Sequence, residues 1–370
     1  MFSALTEEQR EFRELVRGFL AEKSTEADVR RLMATEQGYD PQLWRQMAEE
    51  VGLQGIAIAE EHGGQGFGWI ELGIVLEEMG RVLLCAPYFS TVVLAASAIA
   101  ESGDAEAAAA RLPGIADGST IATLAFPGEN GRWDAEGVTA RATREGGSWR
   151  ISGTAPSTID GHVASLFVVP ARTDEGVSLF LVDRGDGVAS TSLQTLDQTR
   201  RLAVVTFDGA AAEPLGEPSA GAATLERVLD LAAVGLAAEQ AGAARAAFDM
   251  SVAYLKERVQ FGQPIGAFQA LKHMAADVLI EVESASSASS YALWAAAESR
   301  DQLPAAASLA AAFCTDALVT ACHQNIQFHG GMGFTWEVPA HLYFKRARAD
   351  EILLGDADFH RERLAQRIGV

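Results

Sequence analysis

YLKERVQFGQPIGAFQALKH, Tyr254 to His273, carries the polar residues that packing alone explains least. It follows a long Ala-rich helical pattern, crosses Gly262-Gln263-Pro264-Ile265-Gly266 and re-enters a helical pattern at about Phe268. Helices end before a proline and next to a glycine, so the stretch predicts a helix–turn–helix corner. The corner holds Arg258, Gln260, Phe261 and Gln269. An arginine at a helix C-terminus offers a planar fork of donors that suits a phosphate, and glutamines supply paired donors and acceptors. The same residues also fit a plainer role, with the arginine balancing the helix dipole and the glutamines solvated.

Working outward, the hydrophobic period divides the chain in three. Leu5, Phe12, Leu15, Val16, Phe19 and Leu20 recur at helical spacing, with Thr6 and Gln9 placed as a capping box. Further helical patterns run from Pro41 to Val51, Trp69 to Arg81, Ser90 to Ser102 and Glu106 to Leu112. The glycines of EEHGGQGFGW lack both a preceding strand and the GxGxxG spacing, so they predict a helix-linking loop rather than a phosphate cradle. From Ile121 the pattern alternates in short runs: Ile121–Phe126, Gly137–Ala142, Trp149–Gly153, Ser165–Pro170, Val177–Val182 and Leu202–Phe207. Long Ala-rich helical patterns return at Thr224–Arg258, Phe268–Asp301, Pro304–Phe328 and from Tyr343 onward. The expected fold is α+β: a helical domain over 1–118, a small antiparallel β domain over 119–218 and a four-helix bundle over 219–370.

Composition excludes several classes of function. A net charge of −21 over 370 residues argues against nucleic acid, whose phosphates require a basic surface. Three scattered cysteines make neither a disulfide framework nor a CxxC metal site, so no metal is expected. The start, MFSALTEEQREF, has no apolar signal core, and no uninterrupted run approaches about 18 apolar residues. The expectation is a cytoplasmic protein without membrane insertion.

A second motif, HQNIQFHGGMGF at His323 to Phe334, ends its helical pattern in Gly330-Gly331, where backbone can approach a ligand or simply cap the helix. The pair ERVQFGQPIGAFQ and QFHGGMGF resembles the C-terminal domain of the acyl-CoA dehydrogenase family. The resemblance extends through GLQGIAIAEEHGGQGFGWIELGIVLEEMGR (Gly52 to Arg81), weakens in the middle, and is nearest to bacterial members acting on short, branched or steroid side-chain acyl-CoAs. It implies FAD as cofactor, an acyl-CoA substrate and an electron-transfer flavoprotein as acceptor. By position, Arg258, Gln260 and Phe261 resemble residues that receive the diphosphate and adenine of a neighbouring subunit's FAD. Gln269 matches a polar residue on the next helix, and Gln327, Gly330 and Gly331 match a backbone-rich diphosphate contact. A homotetramer, or a heterotetramer with a related subunit, follows from that clasp. In so acidic a chain, coenzyme A would need local basic residues, and Lys345, Arg346 and Arg348 form one dense cluster.

Three departures from the family pattern stand out. The flavin-contacting TEPGxGSD segment is replaced by Thr123-Leu124-Ala125-Phe126-Pro127-Gly128-Glu129-Asn130, leaving a backbone donor at Ala125. The flavin-stacking Trp is replaced within GTAPSTIDG by Ser157 or Thr158, whose hydroxyls remain as candidates. The family's common base, a Glu before Gly near the C-terminus, has Gly355 in its place. Dehydrogenation needs a carboxylate in an apolar pocket to take the α proton while the β hydrogen leaves as hydride to the flavin. Glu239 interrupts the apolar stripe Ala232, Leu236, Ala243, which is costly unless the carboxylate is paired or useful. Some relatives with steroid side-chain substrates carry a Glu in this A-A-E segment, so Glu239 is the expected base, with Asp356, Asp230 and Glu226 as alternatives. The competing readings are a non-catalytic FAD-binding subunit of a mixed tetramer and a flavin monooxygenase or oxidase on the same fold.

Overall fold

The computed structural model describes residues 5–370. Six helices come first: α1 (Glu7–Lys23), α2 (Glu26–Met33), α3 (Pro41–Glu49), α4 (Trp69–Arg81), α5 (Ser97–Glu101) and α6 (Ala105–Ala116). The strands follow as β1 (Ala122–Leu124), β2 (Arg141–Glu145), β3 (Ser148–Ile159), β4 (Leu166–Thr173), β5 (Gly176–Asp183), β6 (Val188–Ser192) and β7 (Leu202–Leu215). Then come α7 (Gly221–Glu257), the hairpin of β8 (Val259–Gln260) and β9 (Gln263–Pro264), α8 (Gln269–Glu298), α9 (Leu303–His329), α10 (Ala340–Asp350) and α11 (Ala357–Ile368). The fold is α+β, in the expected order of helices, sheet and helices. The chain divides into two compact units, one of Met1–Arg30, Trp69–Leu84 and Ala233–Val370, the other of Arg31–Gly68 and Cys85–Ala232.

In the first unit, α1 starts at the capping box: Thr6 Oγ1 accepts from Gln9 N–H and Gln9 Oε1 accepts from Thr6 N–H. Arg17 grips Glu78 of α4 with two bonds of 2.8 and 2.9 Å, and Arg13 reaches Glu77 at 2.8 Å. Glycines set the crossing of α4 and α7, since a methyl at Gly80 would overlap the carbonyl of Glu239 and one at Gly242 the carbonyl of Glu77. The segment Leu303–Phe334, which contains α9, is long and apolar enough to span a membrane. Yet 67% of its apolar window is buried inside the protein, so core packing accounts for its composition.

The second unit holds the sheet. Strands β4, β2, β3, β7 and β5 pair in a closed ring, β1 adds parallel to β4, and β6 pairs with β7. Ile151, Phe167, Phe180, Val205 and Phe207 fill its interior, with Phe167 and Phe207 edge to face at 5.8 Å. Three details differ from the sequence reading. Gly137 and Val138 stand in a turn capped by Asp134, not in a strand, because its carboxylate takes the N–H groups of Glu136 and Gly137. The Ser90 helix begins as a π-helical turn, Phe89–Ala96. β6 and α2 also form, outside the predicted elements; α2 buries Val29, Leu32 and Met33, an i, i+3, i+4 apolar face too short to stand out. The EEHGGQGFGW loop is closed to phosphate, since Gly64, Gln65, Gly66 and Phe67 spend their N–H groups on the carbonyls of Ala59, Gly55, Ile58 and Ile56.

Candidate active site

The last turns of α7 and α9 run side by side through paired contacts. Ser251 Oγ donates to Asn325 Oδ1 at 3.0 Å, and Asn325 Nδ2 reaches Met250 Sδ at 3.4 Å. One turn on, the ring of Tyr254 stacks on His329 with centroids 4.2 Å apart and planes 27° from parallel. His329 is held by a 2.8 Å contact from Nδ1 to the Asn325 carbonyl, and the Tyr254 hydroxyl lies 3.8 Å from Met332 Sδ. Beyond these contacts the two motifs begin: Arg258 one turn after Tyr254, and Gly330-Gly331 directly after His329.

The corner is a hairpin rather than a plain turn between helices. Val259 pairs with Pro264 and Gln260 with Gln263, so Phe261-Gly262 is a two-residue turn with positive φ at both residues, 53° and 81°. A phenylalanine in that region is strained, and this one is 92% exposed with its edge toward Phe268. Gln260 spends one Nε2 bond on its neighbour, the Val259 carbonyl, while Arg258, Gln269 and Gln327 are exposed. Gly330 has φ 58° and ψ −137°, a conformation reserved for glycine, and a Cβ on either Gly330 or Gly331 would meet nothing within 4 Å. Gly330 N–H caps α9 on the Gln327 carbonyl, while the space beside Gly330 and Gly331 is open to a ligand.

The candidates in the sheet unit are mostly spent. Ala125 is a correction, because its N–H donates to the Val168 carbonyl at 2.9 Å and extends the β1–β4 ladder. Thr158 is another: it is fully buried, with its hydroxyl turned toward the Ala155 carbonyl. Ser157 remains half-exposed, on a bulge where Pro156 and Ser157 oppose Val204 alone. A proline, having no N–H to give, is at home in such a bulge.

The expected base, Glu239, and its first alternative, Asp356, both have structural employment. Glu239 Oε1 accepts from Arg346 Nη1 at 2.5 Å, with side chains only 9% and 3% exposed. The stripe therefore carries a paired charge rather than a desolvated lone carboxylate, which corrects the premise on which Glu239 was expected to act. Asp356 is exposed and caps α11 by accepting from Phe359 N–H at 2.8 Å, so it has no apolar pocket to work in. The basic cluster of α10 is dispersed in the same way. Arg346 is buried on Glu239, Arg348 pairs with Glu351, and Lys345 lies over the Trp336 ring at 4.9 Å.

Gly355, which stands in the place of the family's usual base, has φ 102°, and a Cβ on it would overlap the ring of Phe359. Gly355→Glu is thus expected to lower the urea midpoint without creating acyl-CoA-dependent flavin bleaching. Bleaching by that single variant would show the position to be open after all. Tyr254 and His329 escaped the sequence reading, as did the pairing of Arg346 with Glu239. Tyr254 lies at i−4 from Arg258 and His329 abuts Gly330, so adjacency to the motifs was the available signal; nothing local points from Glu239 to Arg346.

Models of the acyl-CoA dehydrogenase N-terminal and C-terminal domains match residues 6–119 and 219–369. Acyl-CoA dehydrogenase IpdE2 of Mycolicibacterium smegmatis is 34% identical over 351 residues, 95% of this chain and 96% of that protein. Among solved structures, a variant of the Tcur3481–Tcur3483 steroid ACAD shares 34% identity with a TM-score of 0.87, covering 98% of both chains. The ChsE4–ChsE5 complex from Mycobacterium tuberculosis shares 30% identity with a TM-score of 0.90, over 99% of this chain and 98% of that one. On both the sequence match and the fold, this chain belongs to the acyl-CoA dehydrogenase family of flavoprotein oxidoreductases.

Proposed function

We propose that this chain is one subunit of a mixed FAD-dependent acyl-CoA dehydrogenase, clasping the adenosine diphosphate end of FAD while a related subunit supplies the base. The observation that carries this reading is the contrast between the candidate groups. Arg258, Gln269, Gln327 and the Gly330-Gly331 backbone face open space. Ala125, Thr158, Glu239 and Asp356 are already engaged within the protein.

Those open groups fit FAD. The Arg258 guanidinium offers charge-assisted bonds to a diphosphate, and glycines at 330 and 331 let backbone come close to it. The exposed Phe261 ring offers a flat face to an adenine. When bound, FAD supplies the acceptor for the hydride that leaves Cβ of the acyl group. This chain's part is to hold the cofactor's distal end; the α proton goes to a carboxylate of the related subunit. Two of the similar structures are two-component assemblies by name, and one is called a steroid ACAD. An acyl-CoA with a bulky, steroid-derived acyl group is accordingly the proposed substrate, and an electron-transfer flavoprotein the proposed acceptor.

The test is anaerobic flavin bleaching by acyl-CoA, using the chain alone and together with the related subunit. Bleaching is expected only for the pair, and bleaching by the isolated chain would overturn the reading. Arg258→Ala in the assembly is expected to weaken FAD retention by about 10–100-fold, the equivalent of ~1.5–3 kcal/mol for a hydrogen bond to a charged group. Equilibrium dialysis measures it.

A further inference from the structure

We propose that Tyr254 and His329 act as a positioning clamp for the cofactor, setting the spacing between the Arg258 corner and the Gly330-Gly331 turn. This inference rests on the proposed clasping role and assigns it two residues that do not themselves touch the cofactor.

The argument starts from helix geometry. Ser251 and Tyr254 share one face of α7 and Arg258, the first residue beyond it, continues the spacing as i, i+3, i+7, while Asn325 and His329 are spaced i, i+4 on α9. The pairing of 251 with 325 and of 254 with 329 aligns the two faces in register. Arg258 follows Tyr254 at helical spacing on one side, and on the other Gly330 leaves the helix directly after His329. Both terminal positions are anchored through their backbone alone: the Arg258 carbonyl accepts from Ile265 N–H, and Gly330 N–H donates to the Gln327 carbonyl. Arg258 ends its helix with N–H still bonded to the Tyr254 carbonyl at 2.9 Å, and Gly330 sits in a backbone region that only glycine populates freely.

The stack is the last of these paired contacts before both motifs. His329 cannot rotate without losing its Asn325 bond, and Asn325 is itself fully buried. Tyr254 is tied at its far end to Met332, inside the turn that follows Gly331. One ring therefore touches both the helix that ends in His329 and the turn beyond the glycines. Losing it frees the Gly330–Phe334 turn from α7, and the donors no longer converge on one diphosphate.

The test measures FAD dissociation from the purified assembly by equilibrium dialysis, alongside thermal unfolding of each variant. Tyr254→Phe keeps the stack but drops the hydroxyl's contact with Met332, and is expected to weaken FAD retention by less than Tyr254→Ala does. Tyr254→Ala and His329→Ala are each expected to weaken retention by about tenfold, the upper end for an aromatic pair. Because the clamp acts through Arg258, adding Tyr254→Ala to Arg258→Ala is expected to weaken binding by less than the product of the two separate effects. A purely structural role would lower the unfolding midpoint while the folded fraction bound FAD normally, and that outcome overturns the clamp. So would full multiplicativity in the double variant. If Arg258→Ala itself leaves retention unchanged, the clasping role fails first, and the clamp with it.

Discussion

Glu239→Gln is expected to cost about 3–5 kcal/mol of stability, because it strips the balancing charge from a buried arginine. The substitution preserves shape and one acceptor oxygen, so it removes the charge and replaces the second acceptor with a donor. Arg346 is 2% exposed and its bond to Glu239 is 2.5 Å, leaving no room for bulk water to take over the lost carboxylate. Arg346→Met should cost a similar amount by stranding the carboxylate. The double change Glu239→Leu with Arg346→Met should recover most of the loss, since well-packed apolar pairs often match buried ion pairs in stability. Urea unfolding of the unaltered protein and the three variants makes the comparison. The catalytic alternative predicts the reverse pattern: Glu239→Gln would remain stable, while anaerobic flavin reduction slowed by about 10²–10⁴-fold.

Two glycines in helices should respond to alanine with opposite signs. Gly18 lies exposed in α1 with nothing within 4 Å of a Cβ, so Gly18→Ala gains helix propensity and should stabilise by up to ~1 kcal/mol. Gly242 lies in α7, where the same methyl overlaps the Glu77 carbonyl. Neither a backbone carbonyl nor a 37-residue helix yields easily, so the crossing must open. Overpacking of this kind costs about 1–3 kcal/mol and occasionally more; the rigid contact places Gly242→Ala at the upper end despite the propensity gain. Denaturant midpoints moving in the same direction for both variants would contradict this account of the crossing.

What the sequence disclosed follows the range of the interaction responsible. The Thr6–Gln9 cap, the Ala-rich helices and most of the β-prone runs are local and stand where their residues predict, the start of the Gly137–Ala142 run excepted. β6 was invisible because Val188–Ser192 is half-exposed and carries only one large apolar residue. The Phe261-Gly262 hairpin was hidden by Phe261, since nothing in a phenylalanine announces positive φ. In the site, the open groups were legible because polar residues clustered at a corner have few packing roles. The engaged groups were not, because their partners are remote: Val168 for Ala125, and Arg346, 107 residues away, for Glu239. An apolar stripe shows that a carboxylate needs compensation; it does not show whether a partner provides it.

The helical unit assembled from three stretches of chain has a consequence during synthesis. Gly80 of α4 seats on Glu239 and Glu77 on Gly242, so α4 leaves the ribosome roughly 160 residues ahead of its partner. At ~5–20 residues per second that is a wait of about 8–30 s. Leu72, Ile74, Val75, Leu76 and Met79, buried in the finished unit, lack that cover throughout, as do Val16 and Leu20 of α1 if α4 has not docked. A nascent chain in this interval is a natural client for holding chaperones. A message truncated before α7 would release a fragment that aggregates, although the complete protein keeps the same residues out of water.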